Sequence, residues 1–354
     1  MKKLSFMFLG AAGLLLASCS NEEKVNAPVE NDGNFTVNVK LPSNLSSRAG
    51  TVFGLGYQAR HLSYAVYDGS SSTLLAEGEA NFDENDLTCT VNFNLAKGKS
   101  YDIAFFAQSY ASLNSANTGD PSNGVYDFDA ANHVINVNYN NMNSTDNLAD
   151  AYDCFYGLLT TNIIGTENVE TSVELYRPVA QINWGTNDLD NNYASHDEAF
   201  GVNGKNIVTY LDITNAYNKF DVLLGEVTGT QGAVTISGLA SPYESTFPYE
   251  GNTADGEATA PTLETYVYVA MQYVLAPGWN TVAENASTIY DLNLSVTNEG
   301  LANNDGTQTD LVVVNVPVQA NYQTNIFGAL LTDNVEVTVN KIPTWFTPAN
   351  NQPY

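Results

Sequence analysis

Long stretches of this chain alternate strictly between apolar and polar residues, and a two-residue period leaves a chain little choice but to fold as sheets. In Phe35-Thr36-Val37-Asn38-Val39-Lys40-Leu41 every second side chain is apolar. Successive strand side chains point to opposite faces, so such a segment buries one face and wets the other. Similar runs follow in LSYAVYDG, in LTCTVNFNLAKGKSYDIAFFAQ with a turn at Lys97-Gly98-Lys99, and in HVINVNYN. A second group holds VETSVELYRPVAQINWG, KFDVLLGEVTG, AVTISGL, TYVYVAMQYVLAPG, STIYDLNLSVTNEG, DLVVVNVPVQANYQTNIFG and NVEVTVNKI. Short strands joined by Gly, Asn, Asp and Pro turns predict an all-β chain of antiparallel β-sandwiches, not a βαβ fold.

Between the groups lies NNMNSTDNLADAYDCFYGLLTTNIIGTEN, polar at first and then mixed. The expected boundary falls near residue 168, giving an N-terminal sandwich over 34–168 and a C-terminal one over 169–354. The chain is long enough for both. YASHDEAFGVNGKNIV is expected to be a loop insertion or a short helical turn.

The first residues follow another logic. MKKLSFMFLGAAGLLLASC has two lysines, an apolar stretch too short to span a bilayer and a small-residue site, the order of a secretory signal peptide over 1–18. Leu16-Ala17-Ser18-Cys19 resembles the bacterial lipobox, whose cysteine is acylated before the signal is removed. Acyl chains on Cys19 would hold the N-terminus in a membrane without a transmembrane helix. Residues 19–33 are polar and lack apolar periodicity, so they read as a flexible tether. The acidic pair Glu22-Glu23 looks like the surface-export signal of Bacteroidetes lipoproteins.

The formal charge of −27 arises from scarce Lys and Arg, since charged residues make up only 14% of the chain. With no basic patch to replace counterions around phosphates, nucleic acid is excluded as a partner. His61, His133 and His196 are scattered, and no nucleophile elbow, phosphate loop or C-x-x-C motif occurs, so no enzyme and no cofactor is expected. Asp188, Asp190, Asp197 and Glu198 could gather oxygen ligands around calcium. Their spacing does not match the twelve-residue calcium loop, and no metal site is assigned. Cys89 and Cys154 lie in apolar strand-like segments of an exported chain, where they either form a disulfide or remain buried thiols. The 21 tyrosines against 3 tryptophans suit strands, and Tyr266, Tyr268 and Tyr273 read as structural.

Four segments together resemble the fimbrillins, lipoprotein pilin precursors of the Bacteroidetes. They are the lipobox, ADAYDCFYG at 149–157, ELYRPVAQINWGTND at 174–188 with Arg177, Ala180 and Gln181, and VPVQANYQTNIFGALLT at 316–332. The resemblance implies two tandem transthyretin-like β-sandwich domains on an outer-membrane, surface-exposed lipoprotein. It further implies that an arginine-specific protease removes the lipidated N-terminus with the first strand, and that a strand of another pilin subunit fills the groove by donor-strand complementation. Residues 34–48 fit that scheme: a strand precedes PSNLSSRAG, an exposed-loop composition where proteases cut, and cleavage between Arg48 and Ala49 would release Cys19 and the strand together. The expected function is a fimbrial subunit or adhesin that meets a host or bacterial surface receptor. The alternative is a non-polymerising outer-membrane lipoprotein that anchors a pilus or binds glycans. A donor strand would come from NVEVTVNKIPTWFTPANNQPY, where NVEVTVNKI could instead close the second domain, leaving a Pro-rich tail poorly suited to a central strand.

Overall fold

The computed structural model of the chain describes residues 32–42, 59–82, 87–113, 124–142, 152–165, 168–186, 206–230, 232–239, 267–278, 288–299, 308–328 and 337–342. The first strands in chain order are β1 (Asp32–Lys40), β2 (His61–Asp68), β3 (Leu74–Asn81), β4 (Thr88–Ala96) and β5 (Tyr101–Gln108), then the single turn α1 (Tyr110–Leu113). β6 (Tyr126–Asp129), β7 (Val134–Val137), β8 (Cys154–Thr160), β9 (Val169–Glu174) and β10 (Val179–Thr186) come next. There follow β11 (Asn206–Ile213), β12 (Tyr217–Asp221), β13 (Glu226–Thr230), β14 (Val234–Leu239) and β15 (Val267–Leu275). The last are β16 (Thr288–Glu299), β17 (Gln308–Val318), β18 (Gln323–Gly328) and β19 (Val337–Ile342).

The expected all-β sandwich class holds, and the pairing shows one plan used twice. One sheet of the first sandwich runs β3-β2-β5-β8 and the other β4-β1-β9. In the second sandwich the first sheet runs β14-β11-β16-β17, strand for strand the same order, and the second contains β15-β10-β18. The directions agree too. β1 is antiparallel to β4 and parallel to β9, just as β10 is antiparallel to β15 and parallel to β18. The second sheet is extended at one end by β19 and at the other by β12, β7 and β6, with β13 paired to β12.

These pairings divide the chain elsewhere than at residue 168. β9 lies beyond that point yet pairs with β1, and Val169, Val173 and Leu175 pack on the first core. The β6–β7 hairpin lies before it yet reaches the second sandwich through Phe220↔Ile135. The changeover comes at Tyr176-Arg177-Pro178, where proline lacks the N–H a continuing strand would use.

Two hydrophobic clusters result, and β2 and β5 serve both. Leu62, Tyr64, Val66, Ile103, Phe105 and Ala107 face the first cluster, whereas Ala65, Tyr67, Ala104 and Phe106 face the second. Burial on both faces explains why LSYAVYD and YDIAFFAQ read as nearly continuous apolar runs rather than strict alternations.

Candidate strand-exchange site

The alternation of β1 has a direct structural outcome. Phe35, Val37, Val39 and Leu41 are buried in the first cluster, while Thr36 and Asn38 are half-buried and Lys40 is exposed. Fully burying one such side chain is worth about 1.5–3 kcal/mol, so the inner face is the main hold on the strand. The outer face adds polar rungs: Thr36 Oγ1 donates to Asn92 Oδ1 (2.8 Å), Thr90 Oγ1 to Asn38 Oδ1 (2.8 Å) and Asn38 Nδ2 to Glu170 Oε1 (2.9 Å). β1 therefore bridges β4 and β9, which share no pairing except through it. Withdrawing β1 would leave a slot with backbone donors and acceptors on both walls and a floor shaped for four apolar side chains. Cys19, Arg48 and Ala49 lie outside the described residues.

The two internal segments singled out in the sequence meet beside this slot. Arg177 Nε approaches Asp153 Oδ1 and Oδ2 at 2.7 and 2.8 Å, and Arg177 Nη2 approaches Oδ2 at 2.6 Å. Both side chains are 0% exposed, and the guanidinium carbon lies 4.6 Å from the centre of the Phe155 ring. Burial raises the Asp153 carboxyl above the usual carboxylate range, against the Arg177 guanidinium, which lowers it. Tyr156 and Tyr176 exchange backbone hydrogen bonds at 2.7 and 2.8 Å, tying the chain just after β9 to β8. Gly157 makes that approach feasible: a Cβ there would stand 2.7 Å from Leu175 Cδ2 and 3.2 Å from Val173 Cγ2.

Cys154 does not pair with Cys89. Cys154 is a free, buried thiol in the second cluster, and burial pushes it well above the ordinary thiol range. Cys89 sits opposite Val39 on β4 in the first cluster, on the far side of the shared sheet. A Cys89–Cys154 disulfide is therefore corrected to a buried thiol at Cys154.

The remaining candidates stay apart. His61 is 4% exposed, and burial lowers its pKa against the attraction of Glu79 at 3.8 Å. His133 packs edge-on against Tyr67, and His196 lies outside the described residues, as do Asp188, Asp190, Asp197 and Glu198. Among the described residues no group of three His, Cys, Asp or Glu gathers in metal-binding range, and no helix is long and apolar enough to cross a membrane. Tyr273 is buried, and the exposed aromatic rings described are Tyr110 on α1 and Tyr210 on β11, in different sandwiches. Asp153 was not singled out from the sequence, although it stands in one quoted segment as the natural partner for an arginine in the other.

The chain is similar to several solved structures at low identity. A Bacteroides uniformis protein provisionally named for cell adhesion is 11% identical, with a TM-score of 0.50 over 89% of this chain and 100% of that one. A Bacteroides thetaiotaomicron protein provisionally named an adhesin is 13% identical, with a TM-score of 0.47 over 89% and 98%. The tip fimbrial protein Mfa3 of Porphyromonas gingivalis, with a C-terminal truncation, is 14% identical, with a TM-score of 0.39 over 88% and 99%. No curated protein matches the chain. A family model matches residues 25–352, and the chain thus belongs to DUF6562, a family of unknown function.

Proposed function

We propose that the chain is a surface fimbrial subunit or fimbrillin-like adhesin, exported as a lipoprotein on Cys19. It is assembled by strand exchange after cleavage between Arg48 and Ala49 releases β1. The observation that carries this is the place of β1: a strand near the N-terminus, upstream of the cleavage segment, that alone joins two other strands into a sheet. A strand from another pilin subunit would complete β4 and β9 and fill the places of Phe35, Val37, Val39 and Leu41. The structures provisionally named for adhesion and the tip fimbrial protein agree with a role at the cell surface.

Purified precursor treated with an arginine-specific protease should yield a product beginning at Ala49 that forms ladders surviving mild SDS. A correctly cut product that stays monomeric would sink the exchange.

One observation favours a second reading. β19, part of the expected donor stretch, is already paired with β18 in its own sheet, and the Pro-rich residues 343–354 lie outside the described ones. A subunit that keeps β19 at home would be a non-polymerising outer-membrane lipoprotein that anchors a pilus or binds glycans. N-terminal sequencing of outer-membrane and sheared surface fractions separates the two, with acylated Cys19 marking the anchor and free Ala49 the processed subunit.

A further inference from the structure

Among the described residues, the duplicated plan leaves one strand position filled in the second sandwich and open in the first. In the second, β19 lies antiparallel along the outer side of β18, from Gln323↔Ile342 to Gly328↔Val337. β9 is the counterpart of β18. It has β1 on its inner side and, among the described residues, no strand on its outer side. Leu175 N–H donates to Lys40 O (2.8 Å), towards β1. By the alternation of a strand, the backbone groups of Glu170, Ser172 and Glu174 point the other way, to the open edge.

Two other edges of the molecule, β17 and β3, carry devices against pairing. Opposite β17 the register shifts between Tyr290 and Leu292, and β17 itself contains Asn315 at φ 59° and Pro317. β3 has a register shift against β2 and exposes Glu77 and Glu79. β9 has neither bulge nor proline. Its register with β1 is unbroken from Phe35↔Val169 to Lys40↔Glu174. Straight, unguarded edges are templates for strand addition.

We propose that the outer edge of β9 is a docking site for the β19 strand of a second copy of this chain, added antiparallel as β19 is added to β18. The internal repeat names the occupant, because the equivalent edge already accepts this strand. Among the described residues β19 is paired on one side only, so moving to β9 of a neighbour replaces one edge pairing by another of the same kind, the low-cost route of strand swapping. Docking needs no cleavage, since β1 stays in place. It also sets β19 two strand spacings, about 9.6 Å, from the position that β1 would vacate, with β9 between them, which links it to the exchange proposed above.

The test uses full-length uncut chain with Cys19→Ser. One preparation carries Ser172→Cys and the other Thr338→Cys, and the two are mixed and oxidised. A disulfide-linked dimer joining the two preparations is expected, several-fold above a mixture in which Ser71→Cys, in an exposed turn, replaces Ser172→Cys. Adding Glu170→Pro to the first preparation removes an outward N–H that β1 does not use, together with the carboxylate that accepts from Asn38, and Glu170→Ala, which loses that carboxylate but keeps the N–H, is the matched control. Both should keep the strand circular dichroism, and the dimer should be lost with Glu170→Pro alone. A yield no higher than that of the Ser71→Cys control overturns the proposal, as does a dimer that survives Glu170→Pro in folded protein. Because no protease is involved, either failure leaves the exchange at β1 to be judged by its own experiment.

Discussion

At Arg177 and Asp153 two opposite charges sit fully buried with three contacts of 2.6–2.8 Å between them. Removing one partner strands the other charge away from water, whereas the intact pair gains little over a well-packed apolar pair. Asp153→Ala should therefore cost about 3–5 kcal/mol in urea unfolding of the precursor. Asp153→Ala combined with Arg177→Met should cost clearly less than the two single losses added together, because both remove the same contact. A sum within error of additivity would mean that the two groups stabilise the fold independently. Half of this feature was legible: Arg177 is one of only three arginines and stood out in its segment. Its partner was not, since one acid among 39 carries no mark of burial until the fold brings β8 against the end of β9. The cysteines show the same limit. Apolar surroundings implied buried side chains, which holds for Cys89 and Cys154, but not which side of the shared sheet each would face.

Among the elements, β1 was the most legible, because half-burial writes itself directly as a two-residue period. Phe35 is its largest inward side chain, and Phe35→Ala should cost about 3–5 kcal/mol in the intact precursor through lost burial and the cavity left behind. Thr36→Val, at a half-buried outer position, should cost far less in the same denaturation series. Equal losses at the two positions would argue against a strand with one anchoring face. β3, β8 and β11 escaped the sequence for different reasons. LLAEGEAN lies on a sheet edge with alternate residues exposed and carries helix-favouring Ala, Leu and Glu, so its period is faint. CFYGLLT begins with four buried residues in succession and shows no alternation at all. NIVTYLDI was partly absorbed into the preceding polar insertion, whose end no Gly or Pro marks clearly. Conversely, VETSVELYRPVAQINWG looked like one run and is two strands in different sandwiches, separated at Pro178.

Over the whole molecule, the sandwich class followed from the strand pattern, but the boundary did not. Which strand pairs with which is decided by contacts between residues far apart in the chain, so β9 could join β1 without any local signal. The shared sheet also gathers tyrosines into the interior. Burial pushes Tyr290 up to about 12 and raises Tyr64, Tyr67, Tyr126, Tyr139 and Tyr156 as well. The folded state thus holds these protons more tightly than the unfolded chain, where tyrosine titrates near pH ~10. Their contribution is intact below that range and declines as pH rises through it. Strand circular dichroism and near-ultraviolet tyrosinate absorbance should therefore change together in one steep alkaline transition. Gradual tyrosinate formation in protein that keeps its strands would contradict this burial. The geometry of β1 has one more consequence, a mechanical one. It runs beside β4 over nine residue pairs and beside β9 over six, with its hydrogen bonds lying across the strand direction. A pull along its axis loads those rungs together in shear and cannot peel them one by one. Whichever strand fills that slot, the connection behaves under tension as a lap joint.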